Sequence, residues 1–299
     1  LAPTEVVSLI TKLIDGNRKN ACLCDPASGS GTLLIEVGKK MGIRGTDIYG
    51  QEVNWNLYAL TKMNLMLNGF KGATFLWGDS LRSPKLLDHG GLKKFDIVVS
   101  VPPFADKWAS EEAYDDFYRR FKYGIPPKSQ VTWAYISHIL ASLRNDGQAV
   151  VVVPVGVLFR NTESKIREQI IEYNLLEAVI ELPSNLFHGT AISTAILVFR
   201  KERMRTQTLF VDARKGYISN KGLYKLSDKV LEQLPNIYKK FLIGEEVGGE
   251  KNGCPVYVAT QDEIRHNKYD LKVIKYVEDK IERKEIDVKD ALRKIDELE

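Results

Sequence analysis

Strand-length apolar runs alternate with helix-length segments along most of this chain, and that alternation is its strongest constraint. Runs at 21–24, 48–52, 73–77, 96–100, 149–153, 176–182 and 195–199 read as strands. Between them, 6–14, a stretch through Leu33, Leu34 and Val37, 56–67 and 133–143 carry apolar residues at helical spacing. Strands separated by helices imply a largely parallel sheet, and near-continuous apolarity implies burial on both faces. The expected fold class is α/β: a mostly parallel seven-stranded sheet with helices on both faces. In such sheets ligands sit beyond the carboxyl ends of the strands. Here those ends carry Asp25, Glu52, Asp79 and Pro102-Pro103-Phe104, so polar and special residues gather where a ligand belongs.

Composition narrows the setting. A hydrophobic fraction of 44% and a charged fraction of 27% are those of an ordinary globular protein. The net charge of +4 permits a polyanionic partner without requiring one. The three cysteines, Cys22, Cys24 and Cys254, lack C-x-x-C spacing, which argues against a disulfide framework and a zinc site. Cys22 and Cys24 read as small core residues, and the expected setting is the reducing cytoplasm. The longest apolar stretch, 149–159, falls short of the roughly 18 residues that mark a membrane span. The first residues have neither the charge nor the apolar run of a signal peptide, and without an initiating Met the chain reads as part of a longer one.

Asp25 to Leu34 reads DPASGSGTLL. Gly29 and Gly31 allow a tight strand-to-helix turn with close approach of a ligand to the backbone. Ser28 and Ser30 flank them, and the helix that follows offers unpaired N–H groups. A dinucleotide fingerprint, G-x-G-x-x-G, fails at its last position, which is Leu34. An acid four residues before the first glycine suits a cationic or amino-bearing ligand better than a pyrophosphate. Glu52 is placed to accept both hydroxyls of a ribose, and Asp79 to accept from an exocyclic amine. Each acid alone is equally a helix cap or a solvated loop residue; three at successive strand ends weaken that simpler reading.

These segments, together with YGQE (Tyr49 to Glu52), KMNLMLNG (Lys62 to Gly69), PPF (Pro102 to Phe104), YGIPPKS (Tyr123 to Ser129), LPSNLFHGTAIST (Leu182 to Thr194) and Lys268-Tyr269-Asp270-Leu271, resemble the modification (M) subunits of type I restriction–modification systems, which are adenine-N6 DNA methyltransferases. The resemblance covers nearly the whole chain. It implies a Rossmann-like class I S-adenosylmethionine-dependent methyltransferase fold with a C-terminal helical extension. It implies S-adenosylmethionine as cofactor: Asp25 and Ser28, Gly29, Ser30 and Gly31 around the methionine part, Glu52 on the ribose, Asp79 on the adenine amine. An aromatic-Thr-Pro segment of the family also helps hold the cofactor; the matching Leu1-Ala2-Pro3 keeps only the proline. DNA, a specificity subunit and a restriction subunit are the implied partners. The helical domain that precedes this region in the family has no counterpart among these 299 residues. On this basis 1–205 form the catalytic domain, 206–266 its C-terminal part with a mobile loop at 244–253, and 267–299 a helical segment for subunit contact.

The family's catalytic motif is Asn-Pro-Pro-Phe/Tyr. The adenine N6 lone pair is delocalised into the ring. An Asn oxygen and a following backbone carbonyl accept the two N6 hydrogens and localise that pair, while the aromatic stacks on the flipped base. Orientation and electrostatics carry the work, with no metal. Here the motif reads Val101-Pro102-Pro103-Phe104, and Val101 has no acceptor. Ser100 is its neighbour, but adjacent strand side chains point to opposite faces, so Ser100 substitutes only if the strand bulges. By analogy with loss of one transition-state hydrogen bond, the missing acceptor costs roughly 10²–10³ in rate. Two function classes therefore compete: a DNA adenine-N6 methyltransferase subunit, and a catalytically impaired cofactor-binding scaffold. A nicotinamide-dependent oxidoreductase is disfavoured by Leu34.

Other residues divide between a functional and a plainer reading. His138 lies on an apolar helix face and reads as a core histidine rather than a catalytic base. His188, in a loop that lines a DNA cleft or merely turns, is evenly balanced. Lys107-Trp108, Arg119-Arg120, Lys122 and Lys128 suit phosphate contact or a solvated face. Ile274, Val277, Ile281, Val288, Ala291, Ile295 and Leu298 approach a heptad seam, interrupted at Lys284, with Asp287 able to cap a second helix.

Overall fold

A computed structural model of the chain describes residues 2–16, 20–104, 106–187, 190–220, 223–247, 249–251 and 254–277. Its strands are β1 (Leu23–Asp25), β2 (Ile48–Glu52), β3 (Thr74–Trp77), β4 (Leu87–Asp88), β5 (Gly91–Leu92), β6 (Phe95–Ser100), β7 (Leu143–Pro154), β8 (Leu176–Glu181), β9 (Thr194–Arg200), β10 (Thr208–Asp212), β11 (Tyr217–Asn220), β12 (Leu223–Leu226), β13 (Gly249–Lys251) and β14 (Cys254–Ala259). The helices are α1 (Thr4–Leu13), α2 (Thr32–Met41), α3 (Trp55–Leu67), α4 (Val131–Ser142), α5 (Ser164–Glu172), α6 (Asp228–Ile243), α7 (Gln261–His266) and α8 (Ile274–Val277).

The central sheet runs β13-β14-β10-β8-β9-β7-β6-β1-β2-β3. All seven expected strands are in it, with β9 lying antiparallel between β7 and β8. The described sheet has ten strands rather than seven. β10 extends it in parallel beyond β8, then β14 and β13 close that edge antiparallel. β14 escapes a sequence reading because Pro255 interrupts a short run, and proline is tolerated only near a sheet edge. Within 244–253, where a mobile loop was expected, Gly244 caps α6 in the left-handed region and Gly249–Lys251 pairs with Cys254–Val256. The overlooked signal is Asn252-Gly253, a strong hairpin dipeptide, which itself lies outside the described residues.

Parity along the strands sorts the core into two layers. Ile97, Val99, Val150 and Val152 pack with α1, α2 and α6 on one face. Val98, Ala149, Val151 and Val153 pack with α4, α5, α7 and α8 on the other. Two-sided burial explains why these strands are apolar at every position rather than alternating. Leu34 is fully buried in the first layer, so bulk there serves helix packing. Cys24 and Cys254 are buried free thiols and Cys22 is partly buried. No helix among the described residues is long and apolar enough to cross a membrane. Of the heptad positions, Ile274 and Val277 fall in α8 and the later ones lie outside the described residues.

Polar groups are buried at the amino ends of these strands too. Glu177 on β8, 4% exposed, faces Arg200 at 3.0 Å and Arg203 at 3.7 Å. Tyr238 of α6 donates its hydroxyl to the same carboxylate and accepts from Gln148 Nε2 at 3.0 Å. Replacing Glu177 with Leu removes the carboxylate that Arg203 and Arg200 share, although Arg200 keeps Asp15 at 3.7 Å, and a loss of about 3 kcal/mol is expected in urea unfolding. Asp47→Asn, which breaks the ion pair with the exposed Arg44, is expected to cost less than about 1 kcal/mol in the same assay.

Candidate active site

The carboxyl ends of β1, β2 and β6 meet at one edge, because β1 pairs in parallel with both neighbours. Asp25 ends β1 with its side chain buried. Its Oδ1 accepts from the Ala27 N–H at 2.9 Å and from the Ser100 hydroxyl at 2.8 Å. Burial pushes the Asp25 carboxyl up to about 7, with the Ala27 and Ser100 hydrogen bonds opposing and Glu52 adding to the rise. The buried Ser100 spends its hydroxyl on Asp25.

The turn after Asp25 is held from several sides. Gly29 and Gly31 have φ of 55° and 73°, conformations that glycine adopts without strain. A Cβ on Gly31 would stand 2.5 Å from Thr61 Cγ2. Glu52 Oε2 accepts the Gly29 N–H at 2.8 Å, and its Oε1 accepts the Asn54 N–H at 2.8 Å. From α3, Thr61 donates to the Gly29 carbonyl at 2.7 Å and Asn64 to the Ser30 carbonyl at 3.1 Å. Asn64 thereby gives KMNLMLNG a local task that its sequence alone does not reveal. Gly50 on β2 is equally constrained, since a Cβ there would lie 2.6 Å from Ser28 Oγ.

A cleft of about 420 Å³ opens over this turn. It gathers Ala2, Asp25, Ser28, Gly29, Ser30 and the run Val101, Pro102, Pro103 and Phe104. Pro3 precedes α1 and Gly31 caps α2, next to residues of the cleft but not on its wall. Asp79 lies on a second, adjoining cavity of about 680 Å³, which shares Pro103 with the first. Its Oδ1 accepts the Leu81 and Arg82 N–H groups at 2.8 and 3.2 Å, so one oxygen serves as a turn cap. Each Glu52 oxygen takes a backbone N–H and keeps a second lone pair. The cleft thus offers a buried acid, a glycine turn and an apolar mouth, a fit for a ligand with a cationic and an apolar end.

A family model for N-6 DNA methylases matches residues 1–285. The chain belongs to that family. It is 32% identical to the methylase subunit of the type I restriction enzyme MpnII of Mycoplasma pneumoniae, over 99% of this chain and 56% of that one. It is 33% identical to the methylase subunit of MjaVIII of Methanocaldococcus jannaschii, over 99% and 52%. Among solved structures it resembles the type I restriction–modification methyltransferase subunit of Streptococcus thermophilus, with a TM-score of 0.83 at 29% identity, covering 93% of this chain and 59% of that one. The chain therefore spans about half the length of the curated relatives it matches.

In this member of the N-6 DNA methylase family the Val101 to Phe104 segment is braced from outside the strand. Thr132, at the start of α4, donates to the Pro103 carbonyl at 3.3 Å. The Phe104 ring meets Phe187 edge-on, centroids 5.5 Å apart. Phe187, within the LPSNLFHGTAIST segment, also lines the cleft, though it was not among the expected site residues, whereas its neighbour His188 lies outside the described residues. His138 is buried, and desolvation followed by Arg120 lowers it to about 3, so it is a neutral interior histidine. Lys107, Lys122 and Lys128 are exposed, while Trp108 and Arg120 are buried, which removes Arg120 from any solvated basic face. Among the described residues no group of three or more His, Cys, Asp or Glu is placed to hold a metal ion.

The Asp25 carboxyl yields a pH test. Near pH 3 it is protonated folded and unfolded; near pH 8 it is ionised in both; between its ordinary value and about 7 the folded state holds the extra proton. Stability from this group therefore falls as pH rises through that window. Asp25→Asn is expected to equal the parent at low pH and to exceed it by on the order of 3–4 kcal/mol at pH 8, measured by denaturant unfolding across the range. A pH-independent difference would place the proton elsewhere.

Proposed function

We propose that this chain is the catalytic part of a DNA adenine-N6 methyltransferase subunit of a type I restriction–modification system. The observation that carries the reading is a buried Asp25 over a left-handed Gly29–Gly31 turn, in one cleft with Pro102, Pro103 and Phe104, in a member of the N-6 DNA methylase family. The relatives named above are methylase subunits, which supports the enzyme over the scaffold alternative. By the same reading it works in the cytoplasm with DNA, a specificity subunit and a restriction subunit.

The residues fit S-adenosylmethionine. Asp25 and Ser28 to Gly31 would hold the methionine end, Glu52 the ribose hydroxyls and Asp79 the adenine amine, with Ala2 and Pro3 beside the opening. Bound there, the cofactor supplies a methyl group on a sulfonium, an electrophile that needs no metal to activate it. The chain's own residues orient the target. A flipped adenine stacks on Phe104, with Phe187 as the second wall. The Pro102 carbonyl accepts one N6 hydrogen, and the Thr132 bond to the next carbonyl keeps that segment in place. Val101 offers nothing to the other hydrogen. Catalysis then rests on holding N6 in line rather than on proton transfer by a side chain.

Titration calorimetry with S-adenosylmethionine tests the site. Asp25→Ala is expected to weaken binding at pH 8 by at least about tenfold, the scale of one hydrogen bond to a charged group. Equal affinity for parent and variant would remove the assignment. The catalytic motif has its own test, transfer of labelled methyl to adenine in duplex DNA with the specificity subunit present. Val101→Asn supplies the second acceptor and is expected to raise the rate by on the order of 10². Equal rates would mean that another group holds N6.

A further inference from the structure

The basic pair Arg119-Arg120 splits in the folded chain. Arg119 is exposed, whereas the Arg120 and Asp116 side chains are each 6% exposed. Arg120 Nε and Nη2 donate to Asp116 Oδ1 at 2.9 and 2.6 Å, and the Arg120 backbone N–H donates to Oδ2 at 2.7 Å. The remaining nitrogen, Nη1, donates to the Ser80 carbonyl at 3.0 Å and lies 3.4 Å from His138 Nδ1. The rings of Tyr118 and Phe121 flank the guanidinium at 5.8 and 5.3 Å. With His138 neutral, one carboxylate, one carbonyl and one imidazole nitrogen surround a single buried cation.

The Ser80 end of this network reaches the candidate active site. Ser80 follows Asp79 directly, and its hydroxyl donates to the Pro26 carbonyl at 2.6 Å. Pro26 follows Asp25. One guanidinium therefore grips the turn after β3, and that turn grips the turn after β1. These two strands are not hydrogen-bonded to each other, because β2 lies between them. Asp79 Oδ1 is tied to the Leu81 and Arg82 N–H groups, so its carboxylate moves with the turn. Asp79, Asp116 and Arg120 all line the larger cavity. A buried ion pair is a poor source of net stability, since apolar side chains of the same shape often do as well. Its planar fork is a good source of geometry.

We propose that Arg120, clamped by Asp116, is a positioning residue that sets the separation of the Asp25 and Asp79 turns and so selects adenine at the far end of the cofactor site. The inference rests on the cofactor reading of the cleft. Arg120 touches no reacting atom; it acts through Ser80 on Asp79.

The test separates base selection from overall binding. S-adenosylhomocysteine and S-inosylhomocysteine share ribose and amino acid but carry an amine or a carbonyl at purine C6. Calorimetry on the chain is expected to show at least about a tenfold preference for the adenine compound, the scale of one hydrogen bond to a charged group. Arg120→Gln and Asp116→Asn are expected to shrink that preference to less than about threefold, while affinity for the inosine compound stays within about threefold of the parent. Thermal unfolding identifies any variant that does not fold. Arg120→Lys, which keeps the charge but lacks the fork, then carries the test, with the preference again expected to shrink. A folded Arg120 variant with the parent's full preference would overturn the proposal. A parent that binds both compounds equally would instead overturn the assignment of Asp79 to adenine, and the inference with it.

Discussion

The hydrogen-bond ladder that places β1 between β6 and β2 is what the rest of the molecule leans on. Leu23 and Cys24 lie opposite Ile97 and Val98 on one side and Ile48 and Tyr49 on the other. Parallel pairing brings the strand ends to one edge without any long-range instruction from the polar residues themselves. Asp25, Glu52 and Ser100 then meet because each ends its strand. The energetic asymmetry follows: the strand interiors bury apolar surface on two faces, whereas the edge buries a carboxyl that water would hold more comfortably. Asp25 tolerates that setting because two donors face it and because its proton is easily retained.

Around that edge the chain supports its turns with side chains rather than with further ladder. Thr61 and Asn64 reach over from α3, Glu52 from β2, and Ser80 from the turn after β3. A glycine-rich turn has many conformations available when unfolded, so a unique shape requires such partners. The 106–130 segment, whose Trp108 and Phe121 join Leu81 and Tyr135 in a third apolar cluster, brings Arg120 into the same framework. The cleft and the adjoining cavity are thus two parts of one braced surface, joined at Pro103.

Much of the fold was legible because burial leaves a mark on sequence. The runs at 48–52, 96–100 and 149–153 become parts of β2, β6 and β7 with little change. The glycine turn and Asp25 mark the cleft for the same reason, since few residue types tolerate those positions, whereas Asp79 lines the adjoining cavity. The edge strands β13 and β14 left weaker marks, being short and interrupted by Pro255. Arg120 was misleading: a charged pair in sequence resembles a solvated face, and only its contact with Asp116, Ser80 and His138 reveals an interior cation.

By itself, then, the sequence determined the α/β class, the order of the first strands and helices, the glycine turn after Asp25 and the absence of an acceptor at Val101. Those properties depend on local periodicity and on side-chain chemistry, which the linear chain carries in full. Tertiary structure alone decided that the Ser100 hydroxyl binds Asp25, that Phe187 stands against Phe104, and that Arg120 is an interior tether. Each of these joins residues dozens of positions apart, and the distance between two such side chains is set by how sheets and helices pack, not by anything written near either one.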